Sequence, residues 1–148
     1  MSLKWKIKRF EELSAHELYE LLQLRSEVFV VEQNCVYQDI DGKDFKAIHV
    51  IGEFQGKTVA HARLFKPGDY FQNASIGRVV VSKEFRDRKW GHDLMAKSIA
   101  ALHENFGRGS IEISAQLYLK IFYESHGFVA LGTTYLEDDI PHIRMIRD

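Results

Sequence analysis

Val79-Val80-Val81-Ser82-Lys83-Glu84-Phe85-Arg86-Asp87-Arg88-Lys89-Trp90-Gly91-His92-Asp93-Leu94-Met95 is the stretch on which the fold turns. Its three valines are apolar on both faces, which fits a central strand rather than an edge. A polar, basic turn follows. Then Leu94, Met95, Ser98, Ile99, Leu102 and Phe106 fall on one face of a helix, and Gly107 and Gly109 end it. Arg86 to His92 gathers several backbone N–H groups at a helix start. First-turn amides are unpaired and the helix dipole is positive there, so this geometry attracts phosphate. Arg86, Arg88 and Lys89 add positive charge. Taken alone, the segment reads first as a solvated loop, because one glycine before a helix is a weak signal.

Working outward, Trp5 to Phe10 alternates apolar and polar residues and predicts a half-buried strand. Ser14-Ala15-His16-Glu17 is a capping box, and Leu18, Leu21, Leu22, Arg25 and Phe29 carry a helix to about Phe29. Glu32 to Lys46 is polar, with Asp39, Asp41 and Asp44 around Gly42, and predicts a long loop. Ala47–Phe54 and Thr58–Phe65 read as a hairpin through Gln55-Gly56-Lys57. Ser75–Val81 is the central strand, Ile111–Ser114 a short one, Leu117–His126 a short helix stopped by Gly127, and Phe128–Leu131 and His142–Ile146 the last strands. The order is β-α-β-β-β-α-β-α-β-β. It implies one parallel pair in an otherwise antiparallel sheet, with helices on both faces.

The 148 residues predict one domain, 1–148, with a full core. Met1-Ser2-Leu3 is readable as a leftover of cloning. The formal net charge of −1 leaves no basic field for nucleic acid. Cys35 is the single cysteine, so no internal disulfide and no thiolate zinc cage can form. No apolar run approaches a membrane span, and no signal peptide is visible. A reducing, cytoplasmic compartment is the expectation, with no metal, no membrane and no nucleic acid as partner. The oligomeric state stays open, a homodimer included.

The Val79–Met95 segment resembles the acyl-CoA-binding segment of the GNAT acetyltransferase superfamily, whose pattern is Arg/Gln-x-x-Gly-x-Gly/Ala leading into a helix. Arg86 and Gly91 match, while Lys89 stands where the first glycine is usual. Phe122-Tyr123-Glu124-Ser125-His126-Gly127-Phe128 resembles the superfamily's Phe-Tyr-x-x-x-Gly-Phe. Leu24 to Cys35, Tyr37 to Gly42 and Ile140 to Ile143 are similar to the ElaA-like branch. The resemblance spans Leu18 to Met145 and implies an α/β (α+β) GNAT acyltransferase fold: a mixed, mostly antiparallel sheet whose middle parallel pair splays apart.

It further implies acetyl-CoA as co-substrate and an amine as acceptor. The strand Ser75–Val81 should carry a bulge and part from Ile111–Ser114. Pantetheine then pairs with backbone groups of the Val79, Val80 and Val81 run, foremost Val79 and Val81. The pyrophosphate is expected on amides from Arg86, Asp87, Arg88, Lys89, Trp90, Gly91 and His92. Gln116, following the fifth strand, is a further pantetheine contact. The amine attacks the thioester directly, so Cys35 reads as a loop or core thiol. Tyr123 is placed by the motif to protonate the leaving thiolate, although an aromatic beside Phe122 also reads as core packing.

Many family members place a glutamate two residues before Val79. Here that residue is Gly77, so the proton acceptor must lie elsewhere. Glu32, His49, His61, Glu112 and His142 are candidates, with His49 and His142 foremost through their placement in ElaA-like segments. Glu32 and Gln33 are placed to line the acceptor pocket. The three aspartates lack EF-hand spacing and read as loop caps or as an attraction for a cationic acceptor. N-acetyl transfer to a small-molecule or protein amine is the leading function. A catalytically weak acyl-CoA-binding or sensing domain is the alternative, and acyl transfer to another acceptor, such as homoserine-lactone synthesis, is a third.

Overall fold

The computed structural model describes residues 3–148, so Met1 and Ser2 of the N-terminal tripeptide lie outside the described residues. Leu3 is buried and packs into the core. It lies so close to the sheet that a Cβ on Gly52 would come within 2.8 Å of its side chain and 2.9 Å of Trp5. A side chain at Gly52 would have to push the Leu3 and Trp5 side chains aside.

One seven-stranded sheet runs in the order β1-β2-β3-β4-β5-β7-β6. The strands are β1 (Lys4–Arg9), β2 (Ile48–Phe54), β3 (Lys57–Phe65), β4 (Ala74–Val81), β5 (Ile111–Gln116), β6 (Val129–Glu137) and β7 (Ile140–Arg147). Every pairing is antiparallel except β4 with β5. Among the described residues three α-helices pack on the sheet: α1 (Ala15–Arg25), α2 (Trp90–Phe106) and the short α3 (Lys120–Glu124). The predicted element order and mixed sheet are those observed.

Ser14 caps α1 as the sequence requires. Its Oγ accepts from the Glu17 N–H at 3.0 Å, and the Ser14 N–H donates to the Glu17 carboxylate at 2.8 Å. Burial of Glu17 alone would raise its pKa, but Ser14, Lys8 and Lys6 together outweigh it and hold the carboxyl at about 2. The helix does not stop near Phe29. It continues as a π-helical segment, Ser26–Glu32, with the Gln33 N–H reaching back to the Val28 carbonyl. Such widened turns concentrate at functional sites. The expected loop therefore starts later, and Asp44–Lys46 forms a 3₁₀ turn within it.

The large core lies between the sheet and α2, where Leu94, Met95 and Leu102 meet Val50, Leu64 and Ile113. A smaller cluster of Leu24, Val28, Phe29 and Val80 binds the α1 segment to the opposite face. The valine run thus serves both sides, with Val79 and Val81 facing the α2 core. The last hairpin is longer than predicted. Most of β6 is exposed, so its outward positions carry Thr133, Thr134 and Glu137 and its pattern does not read as a strand.

Candidate active site

β4 and β5 pair only at Ala74–Ile111 and Ser75–Glu112 and then part. The divergence begins before a bulge in β4: the register with β3 slips between His61 and Arg63, and Arg78 takes a left-handed φ of 50°. A central strand that bends in this way cannot keep its parallel neighbour. The result is a cleft of about 380 Å³ through the sheet, a size suited to a small-molecule site. Val79, Val80, Val81, Arg86 and Gly91 line it, as do Tyr123 and Gln116, while Gln33, Cys35 and His142 lie in its α1-side wall.

At the α2 mouth, Lys83–Arg88 is a 3₁₀ helix rather than an open turn, and Lys89 precedes α2 with φ 61°. That left-handed conformation is the physical reason a glycine suits this position. Lys89 adopts it nonetheless. No side chain caps α2; the His92 N–H bonds to the Lys89 carbonyl at 3.1 Å, which leaves the Trp90 and Gly91 amides to meet an anion. Asp87, Arg88, Lys89, Trp90 and His92 do not line the cleft. Trp90 is buried, its ring 5.4 Å from those of Phe54 and Phe85, and Arg88 lies over all three rings. The Trp90 and Arg88 side chains thus hold the loop in shape. His92 pairs with His126 at 2.9 Å. The Arg86 Nε donates to the Val81 carbonyl at 3.2 Å, so that carbonyl already has a partner.

Tyr123 is 7% exposed and borders the cleft. Phe122 and Phe128 hold its ring edge-on, with centroids at 5.2 and 6.0 Å. Burial pushes its phenol pKa up, so the hydroxyl keeps its proton. Gln116 is the last residue of β5 rather than a residue after it, and its amide is paired reciprocally with Gln33 at 3.1 and 3.2 Å. That pair ties the π-helical segment to β5 on the acceptor side. Cys35 is buried, its thiol donating to the Asp138 carbonyl at 3.3 Å, and burial raises its pKa.

The candidates for the base separate sharply. His142 lines the cleft, and its Nδ1 lies 2.7 Å from the Ile140 carbonyl. A carbonyl only accepts, so Nδ1 donates to it, and Nε2 faces the Glu137 carboxylate at 3.4 Å. His49 does not line the cleft. Its Nε2 must donate to the Asp44 carbonyl at 3.0 Å, and its Nδ1 therefore accepts from His61 Nε2 at 3.0 Å. Both nitrogens are used, which removes His49 as a proton acceptor, and His61 behind it is fully buried. Glu32 is not in the acceptor wall either: its carboxylate grips Arg86, which holds it below its ordinary pKa. Glu112 is likewise engaged, by Arg144 at 2.7 Å.

The three aspartates form a buried ion network. Asp39 binds Arg25 at 2.9 Å and Arg78 at 2.7 Å, Asp44 binds Arg25 at 2.7 Å and Arg63 at 3.1 Å, and Asp41 binds Arg63 at 2.7 Å. Burial disfavours the Asp44 carboxylate, but Arg25 and Arg63 outweigh that and lower its pKa. The aspartates thus clamp the bulge at Arg78 and attract no external cation. Polar and aromatic residues not foreseen as site-lining include Tyr37, Arg78, Ser114, Tyr118, Glu137 and Asp138. Asp138-Asp139 between Glu137 and Ile140 is a readable turn signal, whereas Arg78 within the strand run gives none.

The His49–His61 pair makes stability depend on pH. Burial lowers both pKa values below the ordinary 6.5, with Arg25 and Arg63 adding to it. The unfolded chain then binds more protons below pH 6.5, so stability rises with pH through this range and is lost as pH falls below it. The lowered carboxylates act only nearer their own unfolded values of 3.8 to 4.5. The melting temperature should therefore drop between about pH 6.5 and 5, and His61→Gln should flatten that slope. Equal slopes for variant and wild type would remove the pair as its cause.

An acetyltransferase (GNAT) domain family model matches residues 11–148. Protein ElaA of Escherichia coli K12 is 43% identical over 148 residues, covering 99% of this chain and 97% of that protein. The crystal structure of Escherichia coli ElaA superimposes with a TM-score of 0.92 at 42% identity and 99% coverage of both chains. An acyl-CoA N-acyltransferase from Pseudomonas aeruginosa gives a TM-score of 0.93 at 43% identity, covering 99% of this chain and all of that one.

Proposed function

The chain belongs to the GNAT acetyltransferase family and is an acyltransferase, and on that footing we propose that it moves an acetyl group from acetyl-CoA directly onto an amine held on the α1 side of the cleft. The observation that supports this above all is the route through the sheet where β4 and β5 part. Arg86, Gly91, Tyr123 and His142 all line it. The α2 first-turn amides and Arg86 are suited to a pyrophosphate, and the β4 backbone beyond Ser75, without a β5 partner, is suited to an extended pantetheine arm.

His142 Nε2 takes a proton from the amine, and Glu137 faces the imidazolium that results. The amine nitrogen attacks the thioester carbon, the C–S bond breaks, and the Tyr123 hydroxyl delivers its proton to the departing sulfur. The reaction needs no enzyme nucleophile, which leaves Cys35 to packing.

Thermal unfolding with and without acetyl-CoA, followed by thiol release with a panel of amines, tests this. A ligand at about 100 Kd stabilises the folded state by about 2.7 kcal/mol. For a chain of this size that raises the melting temperature by roughly 5–10 °C. Gly91→Pro should erase most of the rise, since it removes one first-turn amide at a position early enough for the helix to survive. An unchanged melting curve in excess acetyl-CoA would overturn the proposal. A rise without transfer to any amine would make the chain a binding domain instead.

A further inference from the structure

Arg86 lines the cleft, and each of its three side-chain nitrogens is engaged. Its Nε donates to the Val81 carbonyl at 3.2 Å, while Nη1 and Nη2 both donate to the Glu32 carboxylate, Nη2 at 2.7 Å. One carboxylate oxygen lies on each terminal nitrogen. A guanidinium offers the same two-pronged edge to a phosphate. Glu32 is charged in this contact, because the bonds from Arg86 outweigh its partial burial and hold its carboxyl below the ordinary range. A carboxylate and a phosphate are thus alternative occupants of one edge of Arg86.

The π-helical segment brings Glu32 to this position. Glu32 is its last residue, and Val28 and Phe29 of the same segment are packed in the smaller core. Gln33, the next residue, is fixed to Gln116 of β5, and the Cys35 N–H reaches back to the Val30 carbonyl at 3.0 Å. The backbone that carries Glu32 is therefore held on both sides independently of Arg86. The two side chains are 27% and 43% exposed, Glu32 and Arg86 in that order. The carboxylate can turn to water and leave the guanidinium without disturbing the fold, and so exposed an ion pair stabilises little. A ligand phosphate arriving beside the carboxylate, rather than in its place, would meet a like charge at close range.

We propose that Glu32 is a built-in competitor of the donor: its carboxylate holds the edge of Arg86 that the pyrophosphate of acetyl-CoA takes, and the donor binds by displacing it. This deepens the acetyl-transfer reading and rests on it for the identity of the donor. The contact lowers donor affinity by the strength of one ion pair, and it does so without touching the pantetheine arm or the thioester. The same penalty falls on every anion that seeks Arg86. A ligand with further anchors in the cleft, such as a pantetheine arm, still binds, whereas a small phosphate held by this edge alone leaves Arg86 with Glu32.

The test is acetyl-CoA binding, by calorimetry, to the wild-type protein, Glu32→Gln and Glu84→Gln. Glutamine keeps the side-chain length and removes the charge. Glu84 is exposed in the 3₁₀ helix that carries Arg86 and makes no ion pair among the described residues, so its variant reports what removing one nearby negative charge does by itself. Glu32→Gln should bind acetyl-CoA about fivefold more tightly than wild type, the upper scale of an exposed ion pair, and Glu84→Gln less than about twofold more tightly. Unchanged binding by Glu32→Gln overturns the inference. Weaker binding overturns it too, because the pair would then hold Arg86 in place for the ligand. A gain matched by Glu84→Gln also overturns it, since general charge would be the cause. A wild-type protein that binds no acetyl-CoA fails the donor reading itself, whereas wild-type binding without the Glu32→Gln gain leaves that reading standing and removes the competition alone.

Discussion

Tyr123→Phe lowers kcat by about 10²–10⁴-fold, toward the lower end, while acetyl-CoA affinity stays as it is. The substitution keeps the ring, so the edge contacts with Phe122 and Phe128 remain and the wall of the cleft is unchanged. Only the hydroxyl proton disappears. Burial keeps that proton on the wild-type phenol, and under the proposed mechanism it is given up only when the sulfur becomes basic. A CoA thiolate is already a fair leaving group and water can substitute, which places the loss toward the smaller value. The decrease should fall equally on kcat and kcat/KM for the amine, the signature of an interaction made in the transition state. A donor with a more acidic thiol should shrink it. His142→Ala in the same assay should also lower kcat while leaving acetyl-CoA affinity unchanged. Equal rates for Tyr123→Phe and wild type, with chemistry rate-limiting, would reduce Tyr123 to packing.

Arg25→Met is expected to destabilise the protein by about 3–5 kcal/mol, a large share of a typical folding free energy. Arg25 is completely buried and satisfies Asp39 and Asp44 at once, with a third bond to the Asp39 carbonyl at 3.1 Å. Its loss leaves two buried carboxylates with one arginine each, Arg78 and Arg63. Those remaining pairs place the effect toward the lower value. The melting temperature should fall on the order of 10 °C. Arg25→Lys should sit between, because one ammonium cannot span both aspartates. Urea unfolding measures it directly, and a loss under about 1 kcal/mol would show that the network stabilises little.

The parallel pair and the start of α2 were legible because their signals are local. A doubly apolar valine run, a basic turn and a one-faced helix occupy consecutive residues, and hydrophobic period and helix-start chemistry act over that range. The Phe122-Tyr123 motif was legible for the same reason, and the structure sets Tyr123 in the cleft wall. The reach of β6 was not, since an edge strand exposed along nearly its whole length has no buried face to impose alternation.

The candidate base shows where sequence runs out. His49 and His142 have equal standing as residue types, each in a strand. What separates them is which carbonyl lies beside which ring nitrogen, and whether the cleft passes by. The Asp44 carbonyl and His61 consume both nitrogens of His49, whereas the Ile140 carbonyl takes only one of His142. The acidic loop is similar. Asp39, Asp41 and Asp44 invited a cation in sequence, and the fold supplies three arginines from α1, β3 and β4.

From its sequence alone, then, this protein's family and element order were determined: the resemblance of its motifs carried the family, and hydrophobic period and capping, properties of neighbouring residues, carried the elements. Only the tertiary structure decided the acceptor side. There the partners Gln33 and Gln116, and Cys35 and Asp138, are 83 and 103 residues apart. The bulge at Arg78 and the parting of β4 from β5 bring them together around one cleft, and burial then selects which polar groups stay free to meet a ligand.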